Sequence, residues 1–256
     1  MRPIGVWMAL AELALVALLS GCATRSANTI SEGYAGASGI RSFLLCAPNT
    51  FLALPGELQD GTTPLREEIQ AYLREHGREV QWIDLYTAKQ LWLSAVTRAK
   101  EEGESGNALA HFAGELARRY EFQAIVVPSL LLHEARASLG RVSWDGVKRR
   151  MRKVNAPRRE GIGRHQDVVV DGARFEGVSG SVSVTSVHVV VFTRDGARVF
   201  EGRGGLELVQ EVDLSNVSTQ NEVELRQRGD LFQEREVLRE AVEIAFDPLL
   251  TPPEEP

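Results

Sequence analysis

The sequence predicts an α/β (α+β) fold: a single mixed β-sheet with a C-terminal antiparallel hairpin, covered by about four helices. Three observations carry this expectation. In the first half of the chain, short β-like runs alternate with apolar residues at helical spacing. Residues 124–132 (AIVVPSLLL) are apolar almost throughout, as a strand buried on both faces requires. In the second half, residues 180–193 (GSVSVTSVHVVVFT) alternate polar and apolar before turning wholly apolar, and the hairpin signal Asp195-Gly196 follows. Elements in that order build one sheet with helical layers. The composition agrees. With 256 residues, 43% hydrophobic, 25% charged and only two cysteines, the chain falls outside the disordered, collagen-like, disulfide-scaffolded and many-span membrane classes. Its 29 Lys+Arg against 35 Asp+Glu, a formal net charge of −6, give no electrostatic case for nucleic acid as a partner.

A first strand is expected at 42–47, ended by Pro48-Asn49. A helix follows from Thr63, whose hydroxyl is placed to cap it, with Pro64 at the first helical position and Glu67 and Glu68 in the first turns. Leu65, Ile69, Tyr72 and Leu73 recur at helical spacing, and Gly77 closes the helix after His76. Residues 79–84 (EVQWID) read as a second strand. Two helical patterns come next: 88–101, with Leu91, Ala95, Val96 and Ala99 on one face, and 107–120, with Phe112, Ala113, Leu116 and Tyr120 on its stripe. After the 180–193 strand and its turn, a return strand at 197–201 resumes as 206–214, and Gly204-Gly205 between them mark a bulge or bend. A last helix over 234–250 turns Val237, Leu238, Ala241, Ile244 and Ala245 inward, and 251–256 is a polar tail. Cys46, inside the apolar run 43–47, reads as a small buried hydrophobe. One domain therefore spans 42–250.

The N-terminus lies outside that domain. Arg2 supplies a positive start, an apolar stretch runs over 4–19, and Ser20 and Gly21 are small, the layout of an export signal over 1–21. Leu19-Ser20-Gly21-Cys22 resembles the bacterial lipobox. That resemblance implies that Cys22 is diacylated on sulfur, that the chain is cut before it, and that its new amino group is acylated, giving a stable anchor of several acyl chains. Ala23 lacks the aspartate that resembles an inner-membrane retention signal, so the implied location is the outer membrane, with the domain facing the periplasm. An uncleaved span is the alternative, since about 18 apolar residues is the lower limit for crossing a bilayer; Glu12 in mid-stretch weakens both readings. Residues 22–41, the lipidated cysteine and a stretch rich in Ala, Ser, Gly and Thr, read as a flexible tether with an r.m.s. reach of roughly 25 Å.

The lipobox, the short first strand, the helix ending at Gly77 before 79–84, the helix running into 124–132, and the hairpin over 187–202 with its trailing Gly202 to Gly205 together resemble a superfamily of periplasmic α/β domains. It includes the curli-secretion lipoprotein, the N-terminal domain of the Tol-Pal translocation protein, and the lipoprotein activators of peptidoglycan synthases. The resemblance implies an assembly or regulatory protein that works by binding. Two members fit less well. The synthase activators carry a longer tether, and a pore-forming hairpin needs an apolar face over about 9–11 residues per strand, which Glu201, Arg203 and Glu207 interrupt. A soluble hairpin is expected.

The chemical motifs are mostly negative. No glycine-rich turn is followed by Gly-Lys-Ser/Thr, and Gly202-Arg203-Gly204-Gly205 lacks the spacing of a dinucleotide site. Gly177-Val178-Ser179-Gly180 misses the nucleophile elbow, and His133-Glu134 has no second histidine for a zinc helix. His76, His111, His133, His165 and His188 are scattered, with surface or core roles preferred. No cofactor or metal is expected, and no enzymatic activity; a hydrolase whose constellation sequence order hides is the third alternative. One feature rises above background: an insert over 141–164 holding nine cations, including Lys148, Arg149, Arg150, Arg152, Lys153, Arg158 and Arg159, against Asp145 and Glu160. It carries a net +7 and leaves −13 on the rest of the chain. Trp144 and Val147 in the same stretch have the character to seat at an interface while the cations meet phosphate; the alternative is a solvated loop between two sheet strands. The expected protein is a non-enzymatic outer-membrane lipoprotein acting in envelope assembly, secretion or regulation by binding an envelope protein partner, with self-association left open. The competing expectation is a ligand- or lipid-binding auxiliary of an envelope transport system.

Overall fold

The structure, a computed structural model, describes residues 28–30, 39–154, 180–213 and 224–250. Cys22, Arg158, Arg159, Arg164 and the tail 251–256 lie outside the described residues. The fold is α+β, as the element order predicts. Strand β1 is Thr29–Ile30, β2 Ser42–Cys46, β3 Glu79–Ile83, β4 Ala124–Ser138, β5 Arg141–Trp144, β6 Val147–Arg150, β7 Lys153–Val154, β8 Gly180–Thr193, β9 Arg198–Leu208, β10 Gln210–Asp213 and β11 Glu224–Gln227; helix α1 is Thr62–Glu75, α2 Leu85–Glu101, α3 Ala108–Ala117 and α4 Arg235–Leu250.

The main sheet runs β1-β9-β8-β4-β2-β3, with β5 and β6 added beside the far end of β4. Parallel pairs join β2 to β3 and to β4, while β8 and β9 are antiparallel to their neighbours, so the sheet is mixed. From the central β2 the chain crosses by α1 to β3 on one side, then back over β2 through α2 and α3 to β4 on the other. One handedness of crossover used in opposite directions puts the helices on opposite faces of the sheet. The side chains record it. Phe43 and Leu45 join the core under α1 and α4, whereas Leu44 and Cys46 face α2 and α3. A strand covered on both sides can afford no polar position, which is why β2 reads as a continuous apolar run.

Several expectations need correction. A second, three-stranded sheet, β11-β10-β7, accompanies the main one. The first helix starts at Thr62 after Gly61, with no side-chain cap, because a 3-10 turn over Gly56–Gly61 leads directly into it and already orders its first residues. The tether is not free throughout: Thr29 and Ile30 pair with Glu201 and Phe200 of β9. The Asn28 amide clamps that junction, donating to the Ile244 carbonyl (2.9 Å) and accepting from the Arg203 N–H (2.8 Å). The return strand is continuous across Gly204-Gly205, and the extra residue of the bulge falls just beyond them, between Gly205 and Leu208. These glycines serve close packing: a Cβ at Gly202 or Gly204 would run into the carbonyls of Ala245 or Ala241 on α4. Among the described residues no helix is long and apolar enough to cross a membrane.

Candidate functional site: an arginine-lined pocket

The basic insert opens as a β-hairpin. Asp145 and Gly146 both have positive φ (36° and 85°), the two-residue turn that matches strand twist. It is the same Asp-Gly signal as at Asp195-Gly196, obscured in the sequence by the dense charge that follows. The hairpin folds back over the sheet, where Trp144, Val142 and Val147 join a third apolar cluster with Val182, Val184 and Leu208. Trp144 is therefore not a contact residue: it is buried, and its indole N–H donates to the Thr185 carbonyl (2.9 Å). An apolar stem between charged side chains was better satisfied by the core than by an interface.

What remains outside is a row of cations. Lys148 is exposed on β6, while Arg149, Arg150 and Arg152 converge with Arg228 around a pocket of about 400 Å³. Its floor is Leu206, Leu208 and Val237, where the bulge in β9 meets the first turns of α4, and Glu207, Gln210 and Glu234 complete the lining. Lys153 lies apart on β7, beside β10.

Arg228 is fixed from three sides. Its guanidinium donates to the Leu208 carbonyl (3.2 Å), to Asp230 (2.8 Å) and to Glu207 (3.3 Å), while the other Glu207 oxygen accepts from the Phe232 N–H (2.8 Å). Burial pushes the Glu207 carboxyl above its ordinary range, although the Phe232 N–H and Arg228 pull the other way. Burial also works against the Arg228 charge, but Asp230 and Glu207 outweigh it and hold the guanidinium more firmly protonated. Asp230 is held below the usual carboxylate range, first by its bond from Arg228, and it also accepts from Arg152. Arg149 pairs with Glu240 on α4, and its buried Nε has no partner among the described residues. The Arg150 side chain makes no hydrogen bond or ion pair among the described residues, and its cross-strand neighbour is another arginine, Arg141. Guanidiniums stay charged at any physiological pH, so they attract and orient anions but exchange no proton.

A second polar cluster went unread in the sequence because its members come from two strands, β4 and β8, and the β5–β6 turn. The Ser186 hydroxyl donates to Asp145 (2.7 Å) and lies 2.9 Å from His133 Nε2, which is itself 3.4 Å from the same Asp145 oxygen. One imidazole nitrogen faces both partners, so the histidine cannot relay a proton between them, and Ser186 is fully buried. The cluster pins the hairpin turn to the sheet. Arg228, Glu207 and Glu234 also escaped the sequence reading: their positions carry no motif, and only the bulge signal at Gly204-Gly205 pointed toward this corner. Cys22, Arg158 and Arg159 lie outside the described residues.

The fold thus defines an α+β domain with an arginine-lined pocket at one end of its sheet. Compared with known proteins, the chain matches no family model and no curated protein.

Proposed function

We propose that this protein is a non-enzymatic lipoprotein of the bacterial outer membrane, anchored through Cys22, whose periplasmic domain acts in envelope assembly, secretion or regulation by binding another envelope protein. The observation that carries the binding role is the free edge of the sheet. Among the described residues nothing pairs with the outer side of β3, and around its end Trp82 (46% exposed), Leu85 and Tyr86 (72% exposed) stand in solvent. Large apolar side chains beside an unpaired strand are what a protein partner docks against. Arg66 stacks 4.6 Å from the Trp82 ring and holds it at the rim. The anchor reading rests on the lipobox, and Asn28, six positions after Cys22, is docked on the sheet.

A photo-crosslinking residue in place of Tyr86 tests this in growing cells. A discrete adduct with a second envelope protein, lost on Trp82→Ala and weakened by Cys22→Ala, is expected. Absence of any adduct from this edge would remove the binding role assigned to it. A second reading, a ligand- or lipid-binding auxiliary, is favoured by the arginine-lined pocket.

A further inference from the structure

We infer that the arginine-lined pocket is a site for a phosphate ester bearing free hydroxyls, of the glycerophosphate kind, and that its source is an anionic phospholipid of the anchoring membrane. Arg150 is the central observation. It lines the pocket, has no acidic partner among the described residues, and sits directly opposite Arg141, a like-charge pair that costs stability unless an anion enters. Arg149 lines the same pocket, and its buried Nε has no hydrogen-bond partner among the described residues. Arg149 and Arg150 come from the hairpin and Arg228 from just past the end of β11, so the cations of the lining are carried by separate segments. A planar carboxylate is served by a single arginine fork, whereas a tetrahedral phosphate presents oxygens to several.

The remaining lining narrows the class. Glu234 borders the pocket with no side-chain hydrogen bond among the described residues, so it disfavours bare phosphate and accepts hydroxyls from an esterified polyol. Leu206, Leu208 and Val237 offer an apolar floor to the first carbons of an acyl chain. The volume, about 400 Å³, suits a headgroup rather than a whole lipid.

The lipid source rests on the lipoprotein reading; the phosphate-ester chemistry does not. Along β9, Leu206 is three residues, roughly 10 Å, from Arg203, where Asn28 is clamped. Six further residues to Cys22 span at most about 20 Å. An anchor at Cys22 therefore keeps the pocket within about 30 Å of the bilayer, by addition of these two spans.

Isothermal titration of the full-length protein with dihexanoyl-phosphatidylglycerol, glycerol 3-phosphate and inorganic phosphate separates the sources. We expect the short-chain lipid to bind at least about tenfold more tightly than glycerol 3-phosphate, and inorganic phosphate to bind weakest. Arg150→Gln should weaken the lipid by about 10-fold or more, as loss of a charge-assisted contact does, while Lys148→Gln, the same charge change outside the lining, should leave it within about twofold. Equal binding of lipid and glycerol 3-phosphate overturns the lipid source, and equal loss in the two variants overturns the site. Circular dichroism of both variants reports their folding. Absence of acyl mass on Cys22 would refute the anchor while leaving the titrations to stand or fall by themselves.

Discussion

Glu68 on α1 and Arg239 on α4 are joined across the helical layer by a 3.2 Å ion pair whose acid is almost wholly buried. The partners are not equivalent. Arg239 also reaches Glu75 (2.6 Å) and Glu243 (2.8 Å) and lies over the Tyr72 ring, whereas among the described residues Glu68 has only Arg235 besides, and Arg235 is mostly in water. Burial opposes the Arg239 charge, but its three carboxylates hold it firmly protonated. Removing Arg239 leaves a buried carboxylate to the mostly exposed Arg235; removing the carboxylate leaves an arginine with two other acids. Arg239→Met should therefore cost about 2 kcal/mol and Glu68→Gln about 1 kcal/mol. Urea denaturation at neutral pH measures both, and equal losses would show that the asymmetry is not energetic.

Gly204 decides how closely α4 lies on β9. A Cβ there would overlap the Ala241 carbonyl, backbone that cannot swing aside, so Gly204→Ala must lift the helix and should cost about 2–3 kcal/mol. Gly114 in α3 has open space around its Cα, and Gly114→Ala should stabilise by about 0.5–1 kcal/mol through helix propensity. Thermal melts of the two single variants should move in opposite directions.

How much of this was legible follows from what each feature depends on. The strands and helices around Phe43, Ile69, Phe112 and Val126 were readable because period and burial coincide there: alternate residues of β2 feed opposite cores, and the apolar runs say so. The β5–β6 hairpin was hidden, since its inward residues Val142, Trp144 and Val147 are spread over two four-residue strands and the rest of the stretch is dominated by charge. The β1 strand was unreadable in a Ser- and Ala-rich stretch because two residues carry no period, and what fixes them is a side-chain clamp by Asn28. The pocket depends on distant positions, Arg150, Glu207 and Arg228, that only tertiary structure brings together.

Stability should fall on mild acidification through His188. Burial pulls this imidazole below its ordinary value of 6.5, against the favourable bond to Glu201 (3.0 Å), and its buried Nδ1 has no acceptor for a second proton among the described residues. The unfolded chain therefore takes up a proton at higher pH than the folded one. The contribution is fully present above about pH 6.5 and is lost as pH drops below it, with a slope approaching about 1.4 kcal/mol per pH unit until the folded form also protonates. Glu207 acts in the opposite sense lower down. Its folded value lies above 4.5, so protonation there favours the folded state as pH falls toward that range. Chemical denaturation between pH 7.5 and 5 should show a loss that His188→Gln reduces; an unchanged slope in that variant would exclude His188 as its source.

Cys46 supplies an internal gauge for the anchor. Its thiol is fully buried and its pKa is pushed up to about 12 by that burial, so it holds almost no thiolate at neutral pH and meets no reagent while the domain is folded. Labelling by a thiol reagent should proceed only as fast as the domain opens, and destabilising variants such as Gly204→Ala should accelerate it in step with their loss of stability. In denaturant the count of thiols becomes diagnostic. Protein whose Cys22 carries a thioether exposes one thiol, Cys46, whereas unprocessed protein exposes two. Envelope-purified protein should therefore titrate to one thiol per chain in guanidinium, and protein made in the cytoplasm without its export signal processed should titrate to two under reducing conditions. Two thiols in the envelope-purified form would show that Cys22 carries no lipid on sulfur. Rapid labelling of Cys46 in the native form would show instead that the α2–α3 side of the sheet opens far more readily than its sealed packing implies.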